Sequence, residues 1–354
     1  MFSSLLLAFA GIAADPAHAA PPRPAPPLEA PCSPACRERD VAAGAMLVTR
    51  IPDATTPQAA ASRVERSLAR LNALRTASGT HPVARSELLS LSAARHADYL
   101  SVNGFRSAPS VHAESAGLGH FTGADPFARM RAAGYRSTYA TEVVGDIGSL
   151  ATDSDCVDHL MATVYHATLL LSRVTEAGVA YGAGAAGGAC VIDLGVPLLA
   201  PGPQAAATGQ VVRYPWAGMT AATGSLRLDL ESPRPARSLL PDGKVGIPVL
   251  VGLRNAASAM TDWGAVPVRI QDFELRDAHD LPVPGVILAD PAISGPGVAA
   301  DAAVHGGFAV LIPRKPLAPG RYRVLLHATI GDDVVAPEPW TFNVAPDASS
   351  GAAD

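Results

Sequence analysis

The stretch that decides the fold is GVAYGAGAAGGACVIDL, residues 178–194. Two apolar runs, Gly178-Val179-Ala180-Tyr181 and Cys190-Val191-Ile192-Asp193-Leu194, have the length and content of strands, and the Gly- and Ala-rich residues 182–189 read as the turn between them. Upstream, the period is helical. Val64, Leu68, Leu71 and Leu74 share one helix face, which Gly79 and Pro82 end. Ser86 caps a second helix, with Leu89, Ala93, His96 and Leu100 along one face. His96 on that stripe reads as a structural residue. Asp125-Pro126 opens a third helix, Asp as cap and Pro at the first helical position, which carries Phe127 and Met130 inward and ends at Gly134. A fourth begins near Ser154, turns Val157, Leu160, Met161 and Val164 to the core, and leads into VYHATLLL, residues 164–171. Helices followed by a hairpin predict an α+β layer fold.

Downstream, the helical period is lost. Ser225-Leu226-Arg227-Leu228-Asp229-Leu230 alternates strictly, and so does Val266-Pro267-Val268-Arg269-Ile270, after which the phase slips before Phe273 and Leu275, as at a bulge. Arg321-Tyr322-Arg323-Val324-Leu325-Leu326 and Trp340-Thr341-Phe342-Asn343-Val344 continue the pattern, separated by turn signals at residues 317–320 and 331–333. Several short strands over about 135 residues predict an antiparallel, all-β Ig-like sandwich. No cluster of titratable residues with an evident chemistry stands out in this half.

Whole-chain properties narrow the function. A length of 354 residues suggests two domains. With 48% hydrophobic and 17% charged residues, the chain can build real cores. A net charge of −5, with no Lys/Arg run, argues against nucleic acid as a partner. No apolar run is long enough for a transmembrane segment. Residues 1–19 read as a signal peptide: Leu5 to Ala10 begin an apolar core and Ala17-His18-Ala19 fits the cleavage pattern, although no Lys or Arg precedes Leu5. The expected order is then a Pro/Ala-rich spacer at 20–60, a first domain at 61–200, a second at 208–346 and a disordered tail at 347–354. Residues 201–210 read as a linker between units that fold separately. Four cysteines fit an exported protein, extracellular or periplasmic. Of the three possible pairings, Cys32–Cys36 with Cys156–Cys190 is favoured, the second bridge tying the helical layer to the sheet.

His166 lies inside an apolar run, and the question is what meets it. Val111-His112-Ala113-Glu114 sits in a loop after the second helix, and Tyr139-Ala140-Thr141-Glu142-Val143-Val144 places a carboxylate before an apolar pair. Two His and one or two Glu suit a divalent cation or an acid/base pair. The order of segments then carries a resemblance. Leu71-Asn72-Ala73-Leu74-Arg75, Ala94 to Leu100, His112, Phe121 to Met130, Ala133-Gly134-Tyr135, Thr141-Glu142-Val143, Tyr165-His166-Ala167 and Gly178 to Tyr181 resemble a CAP (SCP-like) domain of the bacterial branch. That superfamily holds the cysteine-rich secretory, antigen 5 and pathogenesis-related proteins. The resemblance covers about residues 62–197 and implies an α-β-α sandwich with a cleft where two His and two Glu meet. His112 matches the first His, Glu142 the Glu of a Gly-Glu-Asn segment (with Thr141 and Val143 as neighbours here), and His166 the second His. The second Glu has no match; Thr163 or Asp158 falls near its place. Relatives bind Zn in some cases and sterols or other lipids in others.

Two functions are thereby expected to compete. The favoured one is an exported, non-enzymatic binding module, with His112, Glu114, Glu142 and His166 as ligand-binding residues. Its ligand would be a divalent cation such as Zn held by His112, Glu142 and His166, or a small apolar, lipid or cell-envelope component. The alternative is a hydrolase of the cell envelope, with His112 or His166 as base and Glu142 orienting it. No Gly-x-Ser-x-Gly nucleophile motif supports the alternative.

Overall fold

The computed structural model describes residues 57–146, 155–184, 187–198, 211–240, 243–253 and 267–346. The predicted signal peptide, most of the spacer, the Cys32–Cys36 pair, the 201–210 linker and the tail lie outside these residues.

The first unit is built from α1 (Pro57–Ala77), β1 (Ala84–Arg85), α2 (Glu87–Asn103), α3 (Pro126–Ala132), β2 (Ser137–Asp146), α4 (Asp155–Met161), α5 (Tyr165–Leu170), β3 (Glu176–Gly184) and β4 (Gly187–Pro197). The sheet order is β1-β3-β4-β2. Alternation along the strands splits their side chains between two faces. Val179, Tyr181, Cys190 and Ile192 pack with α1, α4 and α5, while Ala180, Ala189 and Val191 pack with Ala93, Ala97 and Leu100 of α2. The result is the expected three-layer α-β-α arrangement. The predicted fourth helix breaks in two, at Ala162–Val164, so His166 begins a separate short helix. Cys156 is bonded to Cys190, with Cα atoms 6.3 Å apart, which ties α4 to β4. Closing 34 residues of sequence contributes about 3–4 kcal/mol in the chain-entropy view.

The Gly/Ala-rich segment is strand rather than turn. β3 and β4 run on until Gly184 pairs with Gly187. The reason lies in α2, whose backbone rests directly on β3. A Cβ at Gly178 would sit 2.1 Å from the Ser90 amide, and one at Gly182 would sit 2.2 Å from the Ala97 carbonyl. Glycine here makes room for a helix.

The second unit is strand-rich. One sheet runs in the order Ile293–Ser294, Val268–Arg276, Gly320–Ile330, Trp340–Val344, Thr220–Ala221; the other runs Val298–Ala300, Gly285–Ala289, Phe308–Pro313, Val249–Gly252, Val212–Tyr214. Phe273, Leu326 and Phe342 of the first meet Val249, Val251 and Leu311 of the second in one core, so the two sheets form a sandwich. The expected bulge is present, as a register shift between Ile270 and Asp272. The run 225–230 is shorter than its alternation suggests: after the strand Ser225–Arg227, a 3-10 turn at Leu228–Leu230 redirects the chain and brings Glu231 against the first unit.

The units are not separate in their packing. Leu250, Leu288, Val310 and Ile312 point away from the sandwich core and join Val164, Tyr165 and Leu170 of the first unit in a single apolar cluster. Phe308-Ala309-Val310-Leu311-Ile312 is buried throughout, because its strand has a core on each face. Polar contacts cross the same junction. Tyr165 donates to Asp301 Oδ2 at 2.7 Å, the His305 amide to Thr168 Oγ1 at 3.3 Å, and the Val164 amide to both Glu231 oxygens at 3.3 Å.

Two outcomes follow from this junction. Residues 61–200 expressed alone are expected to be insoluble, or to melt well below a chain extending to 346, because Val164, Tyr165 and Leu170 lose their cover. An isolated segment that melts with the longer chain would show that the shared core contributes nothing. Burial also pushes the Glu231 carboxyl up to about 7 from 4.5, against the amide bonds from Val164 and Tyr165. A carboxyl raised in the folded state keeps full stability below its unfolded value and loses it as pH rises through the folded one. Glu231→Gln should therefore melt close to wild type at pH 4.5 and above it at pH 8. Thermal melts across that range check the sign.

Candidate functional site

The site grows from a buried arginine. Asp125 caps α3 by accepting from the Ala128 amide at 2.8 Å. The next turn drives Arg129 and Met130 inward. Phe127, expected inside, is 53% exposed; the helix presents the guanidinium to the core instead. Arg129 Nη2 donates to Glu142 Oε2 at 2.7 Å, and Nη1 donates to the His112 carbonyl at 3.0 Å. Glu114 lies on its other side, 3.7 Å from Nε. Gly123 is required beside it, since a Cβ there would come within 2.8 Å of the Arg129 amide.

His96, read as structural, belongs to this cluster. Its Nδ1 donates to Glu114 Oε1 at 2.9 Å and its Nε2 to the Val111 carbonyl at 2.8 Å. A ring facing acceptors at both nitrogens donates from both. Two cations, Arg129 and His96, thus balance two carboxylates, Glu114 and Glu142, with all four side chains at most 1% exposed. Glu114 also accepts from the Thr122 amide at 2.6 Å and from the Gly123 amide at 3.3 Å. It closes the loop on itself and has no oxygen turned to a ligand.

Glu142 is the member that reaches the surface, through His112. His112 Nδ1 donates to Glu142 Oε1 at 2.9 Å, and its side chain is 31% exposed. This bond fixes the proton on Nδ1 and leaves Nε2 facing outward. Burial alone would raise the Glu142 carboxyl, but the His96 charge, the His112 hydrogen bond and the Arg129 charge outweigh it and hold it at about 2. Across the ladder, Glu142 pairs with Asp193, which is fully buried. Burial and the Glu142 charge push the Asp193 carboxyl well up. Glu142 thus stays ionised while Asp193 is pushed toward its neutral form.

His166 stands at the start of α5. Thr163 Oγ1 donates to the Leu160 carbonyl at 2.8 Å and lies 3.1 Å from His166 Nδ1. With its own proton used, Thr163 accepts from His166, so this ring too carries its proton on Nδ1. Burial, then the neighbouring His112 and His159, push the His166 imidazole down to about 4. Its Nε2 is therefore an unprotonated acceptor at neutral pH. Asp158, the other residue near the place of the missing Glu, pairs with Arg70 at 2.7 Å instead.

The structure thus draws His112, Glu142 and His166 into one neighbourhood and adds Arg129, His96 and Asp193, which the spacing did not single out. Among the described residues, no group of three or more His, Cys, Asp or Glu side chains is arranged to hold a metal ion. The carboxylate expected as third ligand is taken by His112 and Arg129.

The first unit is thus three layers around a four-stranded sheet, with a partly exposed histidine backed by a buried glutamate. Residues 68–194 match the model of CAP, the Cysteine-rich secretory protein family, and this segment is a CAP domain. An outer surface protein from Borrelia burgdorferi is 14% identical, covering 38% of this chain and 93% of its own, with a TM-score of 0.31. Selenomethionine PcoC, a copper resistance protein from Escherichia coli, is 16% identical, covering 37% and 94%, with a TM-score of 0.21. No curated protein matches the chain. No helix among the described residues is long and apolar enough to cross a membrane.

Arg129→Met is expected to cost about 3–5 kcal/mol, the usual loss when one member of a buried ion cluster leaves its partners uncompensated. Arg129→Lys should not restore it, because an ammonium cannot span Glu142 and the His112 carbonyl as the planar fork does. Urea denaturation of the three proteins decides. The depressed Glu142 carboxyl gives stability that is complete above about pH 4.5 and is lost as pH falls toward 2, so the difference between wild type and Arg129→Met should narrow below pH 4.

Proposed function

We propose that this chain is an exported CAP-domain protein that binds a small, largely apolar envelope ligand without transforming it. The observation that carries this reading is that the carboxylates of the cleft are already engaged. Glu142 is held by His112 and Arg129, and Glu114 by His96 and loop amides. What remains for a ligand is two imidazole Nε2 atoms, suited to a hydroxyl or amide donor. A divalent cation would find two nitrogens and water there, a weak site compared with one of three or four protein ligands.

Exposed apolar side chains nearby in sequence favour an apolar partner. Leu118, Phe121 and Phe127 are 39%, 39% and 53% exposed, and all lie on the segment that follows His112. A few polar groups in an apolar setting is the usual composition of a small-molecule site. The Cys156–Cys190 bridge supports maturation in an oxidising compartment. One feature favours the hydrolase as a second reading: a carboxylate orienting His112 is also what a general base requires.

A single experiment separates these. The purified chain is incubated with an envelope lipid extract and examined by native mass spectrometry, beside the His112→Ala/His166→Ala variant. A bound, unaltered small molecule in wild type, lost in the variant, is expected. Smaller products released with time would establish the hydrolase. Tight stoichiometric Zn uptake at pH 7.5, with no lipid adduct, would replace this reading with a metal site.

A further inference from the structure

We propose that the C-terminal sandwich is a working part of the cleft, in which Glu231 and Asp301 position His166 by gripping the helix that carries it. The proposal rests on His166 facing the ligand, as in the reading above.

Helix α5 is six residues long and its N-cap, Val164, supplies no side-chain acceptor. A helix this short depends on outside partners for its first amides. Glu231, from the other unit, provides them. Both its oxygens lie 3.3 Å from the Val164 amide, and it also accepts from the Tyr165 amide. Those residues immediately precede His166. Glu231 itself is 5% exposed, and it reaches this position because the 3-10 turn at Leu228–Leu230 ends the preceding strand early.

A second grip comes from the loop after the strand Val298–Ala300. The Asp301 amide donates to the Ala289 carbonyl at 2.8 Å, which anchors the residue to the sheet. Asp301 Oδ1 accepts from the Ala303 amide at 2.9 Å and fixes the loop's turn. Oδ2 is left for the Tyr165 hydroxyl at 2.7 Å. The same loop brings the His305 amide to Thr168 Oγ1 at 3.3 Å and His305 Nδ1 to the Tyr139 hydroxyl at 3.2 Å. His166 is therefore flanked in sequence by Val164, Tyr165 and Thr168, each bonded to the second unit. Among the described residues of its own unit, the ring's hydrogen bond is to Thr163. A side chain on so short a helix keeps its geometry only if the helix is held, and rigid sheet residues hold it.

The test uses the full chain with ¹⁵N-labelled histidine at pH 7.5, reading the ring signals of His166, with the buried His96 as internal control. In wild type, His166 should show one tautomer, with its proton on Nδ1. Glu231→Ala should give averaged or broadened His166 signals with His96 unmoved, while Glu231→Gln, which keeps an acceptor oxygen, should restore the wild-type signature. Tyr165→Phe deletes only the hydroxyl that meets Asp301 and should give a smaller change of the same kind. If Glu231→Ala does not fold, Tyr165→Phe decides. An unchanged His166 signature in every folded variant among Glu231→Ala and Tyr165→Phe overturns the proposal. So does an equal change at His96, which marks general loosening. The signature needs no ligand, so loss of the binding reading by mass spectrometry and loss of this proposal by spectroscopy are separate results.

Discussion

The guanidinium of Arg129 between Glu114 and Glu142 is the interaction on which the cleft depends. A charge without solvent is costly unless it is paired and hydrogen-bonded. Here two cations and two anions neutralise one another out of water. The consequence is mechanical as much as electrostatic. Residues 104–125, between α2 and α3, contain no helix or strand, and a loop of that length needs a reason to be ordered. The cluster supplies it. Glu114 holds the Thr122 and Gly123 amides, Arg129 holds the His112 carbonyl, and His96 holds the Val111 carbonyl. His120, at a left-handed φ of 64°, pairs with Asp98 on the same helix as His96. Removing the guanidinium would thus release the segment that carries His112, along with a charge.

Charge balance also decides what the cleft offers. A carboxylate facing solvent between two imidazoles would be a cation site. Arg129 holds Glu142 ionised as the partner of His112, and burial with the Glu142 charge pushes the Asp193 carboxyl behind it well up. Negative charge is balanced inside, leaving the imidazoles of His112, 31% exposed, and of the neighbouring His166. Their character follows from the inner bonds: each ring donates from Nδ1, to Glu142 in one case and to Thr163 in the other.

Much of this was legible. Helical and strand periods located the layers, the phase slip before Phe273 located a bulge, and His112, Glu142 and His166 were named by residue type and context. Arg129 was not, because an arginine in PFARMRA looks like one more solvated charge, and nothing local says that the helix turns that face inward at the expense of Phe127. The glycines of β3 mislead for a similar reason. Gly-rich sequence fits a turn and a helix-bearing strand equally well, and only the position of α2 distinguishes them. The shared core did leave a mark. Phe308 to Ile312 and Val249 to Val251 are unbroken apolar runs, the signature of strands covered on both faces. Within a sandwich, one of those covers has to come from outside.

That second cover explains why the two halves are best understood as one machine. His112 takes its place from α3 and the buried ion cluster, all within the CAP segment. His166 takes its place from a short helix that the sandwich holds through Glu231, Asp301 and the 301–307 loop. The separation of the two Nε2 atoms is therefore set by how the outer face of one sheet sits on α5. Leu250, Leu288, Val310 and Ile312 form that seat, and close-packed interiors shift between discrete arrangements rather than deforming continuously. A gap defined across such a seat has one value as long as the seat is intact. If the two rings hold a ligand as proposed, a fixed spacing between them is the main source of selectivity they can supply.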